Sequence, residues 1–441
     1  MDDDERGALA DEKGLSQKRL WRKLLLLVLS LLVLAGIVVG GLLLRARSRL
    51  PSGGVGPPGR PYRPPPIAYE GDSTGLEQTV IVPTLDTRMP PGKNVIWCSS
   101  FQVAWNHLRD DAIKAPVKVA NAEEIADRLN RAPQSEADLP EGSYYAAAGF
   151  VGDGIVETIQ KEMAQRFPSA AKPTFEGLLP DAIVAYAYLT AGVKFTIPFF
   201  DSDETLKFQD STGAETAVSA FGIRPEDEWA YRKLREQVQV LYSLTGGVLF
   251  ESMFETIEGY EEYVKSRGGV FVPPEFAIDP CKDSSPCQIV LARIERKPTL
   301  AETLADLQVK VADWSQRSFF NRLSDSDVLL IPNTHWKIDH HFSKLEGADR
   351  LLRNPEFEGY WIERARQAID FKLDRSGAEL ASEAEVIVES ARQCYRFDRP
   401  FLIYLKKRGA EHPFFVMWVD NAELLCKWQG SPGGVGAGEQ R

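Results

Sequence analysis

The densest group of side chains that could do chemistry is the run His335, Asp339, His340 and His341, which holds three of the five histidines. Imidazole and carboxylate groups are common metal ligands. On a strand, however, residues at even spacing share a face, so His340 points away from the other three. His335 and His341 would also lie roughly 20 Å apart along such a strand, too far for one ion. We therefore expect no metal site here.

Motifs of common enzymes are missing from the sequence. It has no Gly-x-Ser-x-Gly, Gly-x-x-x-x-Gly-Lys-Ser/Thr, His-Glu-x-x-His or Cys-x-x-Cys motif. The glycines of Gly149 to Gly154 depart from the dinucleotide-binding spacing and indicate a turn. We therefore expect a protein that is not an enzyme and has no cofactor, and the remote alternative is a hydrolase without a recognisable motif.

The five cysteines are too few for a disulfide scaffold, and their odd number leaves at least one thiol free. Cys281 and Cys287 bracket a short loop and could form a disulfide in an oxidising compartment. Isolated thiols explain the same pattern equally well.

Composition and charge exclude one class of partner. The chain has 441 residues, 44% of them hydrophobic and 26% charged, which is typical of a globular protein. Its net charge is −11 and its basic residues are scattered among more numerous acids. Because a nucleic-acid interface needs a concentrated basic face, we expect no nucleic-acid partner.

An uncharged apolar run from Leu24 to Leu44 predicts a membrane-spanning helix. It is longer than the apolar part of a usual signal peptide, and no small-residue cleavage pattern follows it. Basic residues flank both ends, so charge hardly fixes the orientation. A short N-terminal tail before a large C-terminal domain favours a single-pass anchor in the cell membrane with an extracytoplasmic domain.

The sequence divides into five parts by composition. A glycine- and proline-rich stretch follows the apolar run and is typical of an extended stalk, and a glycine-rich stretch ends the chain. The predicted parts are a cytoplasmic tail (1–23), a transmembrane helix (24–44), a stalk (45–75), a folded domain (76–428) and a disordered tail (429–441).

Hydrophobic periodicity within the domain predicts a mixture of helices and strands. Strands follow one another in runs instead of alternating with helices, which favours an α+β fold. Predicted helices cover 122–131, 153–166 and 302–317. Predicted strands cover 288–294, 328–332, 336–342 and a hairpin of 401–405 with 414–419.

The C-terminal third of the chain resembles the serpin family. The segment Phe397-Asp-Arg-Pro-Phe-Leu-Ile-Tyr-Leu405, followed after a turn by Phe414-Phe-Val-Met-Trp-Val-Asp420, is similar to the serpin C-terminal hairpin. Trp418 stands where the family usually has glycine. Upstream and in the family's order lie segments similar to a serpin strand (328–342), the loop after it (345–359) and the long central strand with its hinge (368–379).

This resemblance is clearest over residues 286–420 and weaker over 181–222. Residues 231–280 look like an insertion, and no helix is predicted before Asn94. The resemblance implies a serpin-like α+β fold with a large central sheet, a smaller antiparallel sheet and surrounding helices. It also implies a monomer that inhibits a serine or cysteine protease by inserting a cleaved loop into the central sheet.

The segment after Gly377 meets the main requirement for such insertion. One alternate set of side chains is small or apolar and the other is mostly acidic, as an inserted strand needs. The same alanines, glutamates and leucine are also good helix formers, so a solvated helix is the rival interpretation. The implied hinge comprises Gly377, Ala378, Glu379, Leu380, Ala381 and Ser382.

The scissile bond of such an inhibitor would follow one of the residues Glu389, Ser390, Ala391 or Arg392. Arg392 would suit a trypsin-like protease, whereas Ser390 or Ala391 would suit an elastase-like one. One feature opposes inhibition. In serpins a polar cluster that includes serines and a histidine controls sheet opening, but here Cys98 and Phe101 stand near the serine positions and Gln367 stands near the histidine position. The alternative is therefore a non-inhibitory binding or scaffold module with a serpin fold at the cell envelope.

Overall fold

The computed structural model describes residues 64–223, 232–244, 272–315, 321–324, 327–376 and 393–429. In these ranges no helix is both long enough and apolar enough to cross a bilayer. The predicted membrane helix at 24–44 and the glycine-rich stretch from residue 430 onward lie outside the described residues.

The C-terminal hairpin lies near the centre of the largest sheet. In spatial order its strands are β10 (Gln239–Ser243), β11 (Phe276–Asp279), β12 (Cys287–Arg293), β17 (Phe401–Lys407), β18 (Phe415–Val419), β3 (Asn94–Cys98) and β2 (Thr79–Ile81). Every residue of β3 and β18 is buried, because apolar clusters cover both faces of the sheet.

A four-stranded sheet packs against the same core. Its strands, in spatial order, are β16 (Cys394–Arg396), β13 (Val328–Pro332), β9 (Ala220–Ile223) and β6 (Phe200–Asp201). Strand β9 pairs antiparallel with both neighbours, but β16 pairs parallel to β13. A Cβ atom at Gly222 would lie 1.8 Å from the Leu329 carbonyl oxygen, so only glycine permits this approach.

The remaining strands form three small sheets. They are β1 (Tyr69–Asp72), β14 (Thr334–His341) and β15 (Arg366–Leu373) in one sheet, β4 (Tyr144–Phe150) with β5 (Ile183–Leu189) in another, and β7 (Leu206–Gln209) with β8 (Glu215–Val218) in the third.

Helices cover the outer faces of these sheets. They are α1 (Ser99–His107), α2 (Glu123–Arg131), α3 (Ile155–Arg166), α4 (Arg232–Gln237) and α5 (Leu300–Ser315). Helix α5 begins with a capping box, in which Thr299 Oγ1 accepts from the Glu302 amide and Glu302 Oε2 accepts from the Thr299 amide. Its buried residues Leu300, Leu304 and Leu307 belong to the apolar cluster on one face of the largest sheet.

Most predicted elements are confirmed, and so is the α+β class. The hairpin and the three long helices differ from their predicted limits by one or two residues at most ends, which is the usual uncertainty of element limits. The expected smaller antiparallel sheet is found only in part, since β16 runs parallel to its neighbour. Residues 64–93 contain no α-helix, as predicted.

One prediction about the chain's organisation needs correction, and one open alternative is decided. Residues 64–75, assigned to the stalk, belong to the folded domain, because β1 pairs with β14 and Ser73 Oγ is hydrogen-bonded to His340 Nδ1 at 2.8 Å. The disulfide between Cys281 and Cys287 is not formed, since both thiols are free and buried. The Cys281 sulfur contacts the chain at Lys194 and Thr196 instead.

Candidate functional site: two unpaired strand edges

Two strands of the small sheets each leave one edge unpaired. In the described part of the chain, β5 pairs only with β4, and β15 pairs only with β14. No backbone hydrogen bond joins residues 183–189 to residues 366–373. Each unpaired edge presents a row of amide and carbonyl groups that can accept another strand.

Helix α1 contacts the strands that carry both unpaired edges. It packs against β4 and β5 and also against β15. Burial raises the pKa of Tyr186 on β5 to about 12, and the guanidinium of Arg366 on β15 lowers it in part. From these contacts we infer that the two edges face each other across α1, with a gap between them.

The two walls of this gap have different surfaces. On the β5 side, Ala146 and Ala187 contribute small side chains to the cluster that includes α1. Only Val184 of the seven β5 residues is fully buried, so solvent reaches this wall. On the β15 side, Gln367 and Ile369 are buried and alternate with exposed residues. A strand that enters the gap therefore needs small or apolar side chains toward α1 and polar ones outward.

A polar cluster joins β15 to the start of α1. The Gln367 amide nitrogen donates to the Cys98 carbonyl oxygen at 3.0 Å and to Ser100 Oγ at 2.8 Å. The Cys98 thiol lies 3.6 Å from Ser100 Oγ, and burial raises its pKa. The serpin resemblance implied that Cys98, Phe101 and Gln367 stand near positions of one polar cluster, and Phe101 lies beside the cluster with its ring 4.2 Å from that of Phe342. Gln367 thus ties the unpaired strand β15 to the helix beneath it.

Residues 377–392, which contain the predicted hinge and scissile bond, lie outside the described residues, but their two attachment points are described. On the N-terminal side, the Arg375 carbonyl accepts from the Phe199 amide at 3.0 Å, and the Arg375 guanidinium pairs with Asp201 at 3.0 Å. On the C-terminal side, the Gln393 amide donates to Asp327 Oδ1 at 2.7 Å. Asp327 is buried, and this burial raises its pKa.

These attachment points lie at opposite edges of the four-stranded sheet. Asp201 belongs to β6 at one edge, and Gln393 precedes β16 at the other. Three strand spacings separate the edges, or roughly 15 Å. The sixteen residues from 377 to 392 can span about 50 Å when extended. The segment is therefore much longer than the shortest connection would require.

Sequence reasoning did not identify Asp201 or Asp327. Neither belongs to a motif, and each acts through a contact with a residue distant in sequence. The weak signal that was available is the Ser324 to Asp327 spacing, because an aspartate three residues after a serine often closes a turn. Asp327 Oδ2 does accept from the Ser324 amide at 2.9 Å.

The histidines take separate partners. His335 Nδ1 donates to the Pro65 carbonyl at 3.1 Å, and His341 Nδ1 lies 2.8 Å from Glu346. The fourth histidine of interest, His107 at the end of α1, lies between two carboxylates, with Asp111 at 2.5 Å and Glu136 at 2.9 Å.

His107 makes the stability of the domain pH-dependent. Burial lowers its pKa, but hydrogen bonds to Glu136 and Asp111 outweigh this and leave the pKa above its usual 6.5. A raised folded-state pKa means that the contribution is complete below about 6.5 and is lost as pH rises through the folded value. In thermal melts between pH 5.5 and 8.5, the His107→Gln variant should lose this part of the pH dependence. An unchanged pH profile would contradict the assignment.

Comparison with known proteins gives one consistent likeness. No protein-family model matches the chain, and no curated protein sequence does. Among solved structures, human kallistatin is 13% identical with a TM-score of 0.40, covering 75% of this chain and 92% of its own. The mouse protein-Z dependent protease inhibitor is 12% identical with a TM-score of 0.41, covering 74% and 91%.

A thyroxine-binding globulin complex with thyroxine is 11% identical with a TM-score of 0.40, covering 75% and 93%. Scores this low transfer no activity and no partner to this chain. The solved structures that are similar to the chain are serpins, the family that its sequence resembles over residues 286–420.

Proposed function

We propose that the chain is a serpin-like protein that inhibits a serine or cysteine protease by inserting a cleaved segment between β5 and β15. The observation that carries this proposal is that β5 and β15 each have an unpaired edge and both pack against α1. A third strand placed there would satisfy both rows of backbone groups at once. The chain leaves β15 directly into residues 377–392, so the inserting strand is the next segment in sequence.

The side chains of this segment suit the walls of the gap. Ala378, Leu380, Ser382, Ala384, Val386 and Val388 form the alternate set that would face α1. They are mostly small or apolar, as the alanine-lined wall of β4 and β5 requires. The opposite set includes four glutamates, which would remain in solvent. Insertion would therefore not bury a charge.

Charge complementarity favours one register for the inserted strand. After a turn at 374–377, the strand would run antiparallel to β15. If Leu373 lies opposite Ala378, Lys372 lies opposite Glu379 and Arg366 lies opposite Glu385. If the inserted strand shifts by two residues in either direction, the pair of Lys372 with Glu379 is lost and Asp370 lies opposite a glutamate. Opposite charges across two strands contribute roughly 0.2–1 kcal/mol, and like charges cost a similar amount.

Inhibition of a protease requires a peptide bond within residues 377–392 that the protease can reach and cleave. Residues 377–392 are longer than the distance between their attachment points requires, which supports an accessible bond there. Cleavage after Arg392 would select a trypsin-like enzyme, and cleavage after Ser390 or Ala391 an elastase-like one. A protease of one of these classes is the proposed partner.

A non-inhibitory binding module is the second candidate, and one observation favours it. Arg375 is held by both its carbonyl and its guanidinium, immediately before the segment that must move. Leu380 is also bulkier than the small residue that the hinge of an inserting loop needs. If these contacts persist after cleavage, the fold remains intact, but the cleaved segment does not insert and the protease is not inhibited.

Cleavage in the segment separates the two candidates. We expect limited proteolysis between residues 389 and 392 to raise the melting temperature of the extracytoplasmic domain by more than 10 °C, since the new strand would pair along both edges; each added backbone hydrogen bond contributes about 0.5–1.5 kcal/mol. A complex with the target protease that survives boiling in detergent should appear on a gel. An unchanged melting temperature together with no such complex would leave only the binding module.

A charge swap tests the register. Lys372→Glu alone and Glu379→Lys alone should each reduce the stability of the cleaved form by roughly 0.2–1 kcal/mol, and the double variant should restore it. Denaturant unfolding of cleaved protein measures this, and the same variants in uncleaved protein are the control. Additive losses in the double variant would exclude the proposed pairing.

We also propose that residues 24–44 anchor the chain in the cell membrane with the domain outside the cytoplasm. The length and lack of charge of this run support the proposal. After extraction with alkaline carbonate, the full chain should stay in the membrane pellet, whereas a variant lacking residues 1–44 should be released. Release of both would refute the anchor.

A further inference from the structure

Helix α4 carries two polar side chains that are almost completely buried. Arg235 is 3% exposed and Gln237 is 5% exposed. Arginine and glutamine are rarely buried unless hydrogen-bonded partners compensate for the lost water. The sequence analysis assigned no role to this helix, which lies in the stretch that looks like an insertion.

Gln237 holds the chain that leads to the N-terminal attachment point. Its Oε1 accepts from the Ile197 amide at 2.9 Å, and its Nε2 donates to the Ile197 carbonyl at 2.8 Å. If the amide oxygen and nitrogen of Gln237 were exchanged, a donor would face a donor and an acceptor would face an acceptor. The orientation of the Gln237 amide is therefore fixed. Two residues further on, the Phe199 amide donates to the Arg375 carbonyl at 3.0 Å. Gln237 therefore supports Arg375 through one short stretch of backbone.

Arg235 holds the other attachment point in a similar way. Its Nη1 donates to the Ser324 carbonyl at 2.9 Å and to the Asp327 carbonyl. The Asp327 carboxylate in turn accepts from the Ser324 amide at 2.9 Å and from the Gln393 amide at 2.7 Å. Arg235 thus fixes the turn whose aspartate holds the residue that follows the segment.

The helix geometry explains how one short element can reach both places. Successive residues on an α-helix turn by about 100°, so residues two apart point in roughly opposite directions. Arg235 and Gln237 are two apart, and Arg235 contacts the turn before β13 whereas Gln237 contacts the chain before β6. The Gln237 carbonyl also accepts from the Lys282 amide at 2.9 Å, which ties the end of the helix to the loop after β11.

We propose that α4 is a common support for both ends of residues 377–392, and that Arg235 and Gln237 are its positioning residues. The support exists whether or not the segment inserts, and it bears on inhibition only if the proposed function holds. A displacement of α4 would then affect both ends of residues 377–392, whereas loss of the Arg235 or the Gln237 side chain would affect one end alone. This makes α4 the element that sets how the segment is presented.

Hydrogen–deuterium exchange on the full, uncleaved chain tests the support without any protease. In Gln237→Leu, amide exchange should rise about tenfold at residues 197–201 and 373–376 and by less than twofold at 393–396. In Arg235→Met, the large rise should occur at 324–328 and 393–396 and not at 373–376. Lys233→Met on the same helix is the matched control and should change neither end.

Conservative variants keep the test decisive if a disruptive one does not fold. Gln237→Glu keeps the acceptor for the Ile197 amide but loses the donor, so a smaller rise is expected at 373–376 only. Arg235→Lys keeps a cation and should restore most of the protection at 393–396. An equal rise at both ends in any of these variants, or no rise at either end in Gln237→Leu, Gln237→Glu or Arg235→Met, would overturn the proposal. Because the exchange experiment involves no cleavage, its results do not depend on whether the segment inserts or a protease is inhibited.

Discussion

A strand edge without a partner is the constraint on which the rest of this structure depends. Backbone amide and carbonyl groups must be hydrogen-bonded to protein or water, so β5 and β15 have to stay solvated while their edges are unpaired. The half-exposed residues of β5 are consistent with this requirement. Pairing both edges with one strand would bury this surface and add backbone hydrogen bonds. It would therefore increase the free energy of unfolding.

The contacts around the gap determine what occupies it. Gln367 fixes the position of β15 relative to α1, and Asp201 and Asp327 hold the chain on either side of residues 377–392. Burial raises the pKa of Asp327, and its backbone hydrogen bonds and the buried guanidinium of Arg235 offset this only in part. These interactions hold the chain at the two attachment points, one on each side of the segment.

The elements with strong local signals could be predicted from the sequence. The hairpin of β17 and β18 consists of two apolar runs on either side of a turn, and α5 has leucines at helical spacing after a capping box. The α+β class followed in the same way from runs of adjacent strands. In each case the residues themselves carry the information.

Other features depend on contacts between distant segments, which no local pattern specifies. The sequence around β1 is proline-rich and predicts a stalk, but backbone hydrogen bonding to β14 makes residues 69–72 a strand. The six-residue spacing of Cys281 and Cys287 allowed a disulfide, but Cys281 contacts the chain at Thr196. The unpaired edges of β5 and β15 are also invisible locally, since an unpaired edge is a property of tertiary structure.

A crystal structure of the chain cleaved between residues 389 and 392 tests the central claim most directly. We predict a new strand that begins near Ala378, lies between β5 and β15 and is hydrogen-bonded to both. If β5 and β15 remain unpaired in the cleaved protein, with the cleaved segment elsewhere, the two facing edges are not an acceptor site and the inhibitory mechanism is wrong.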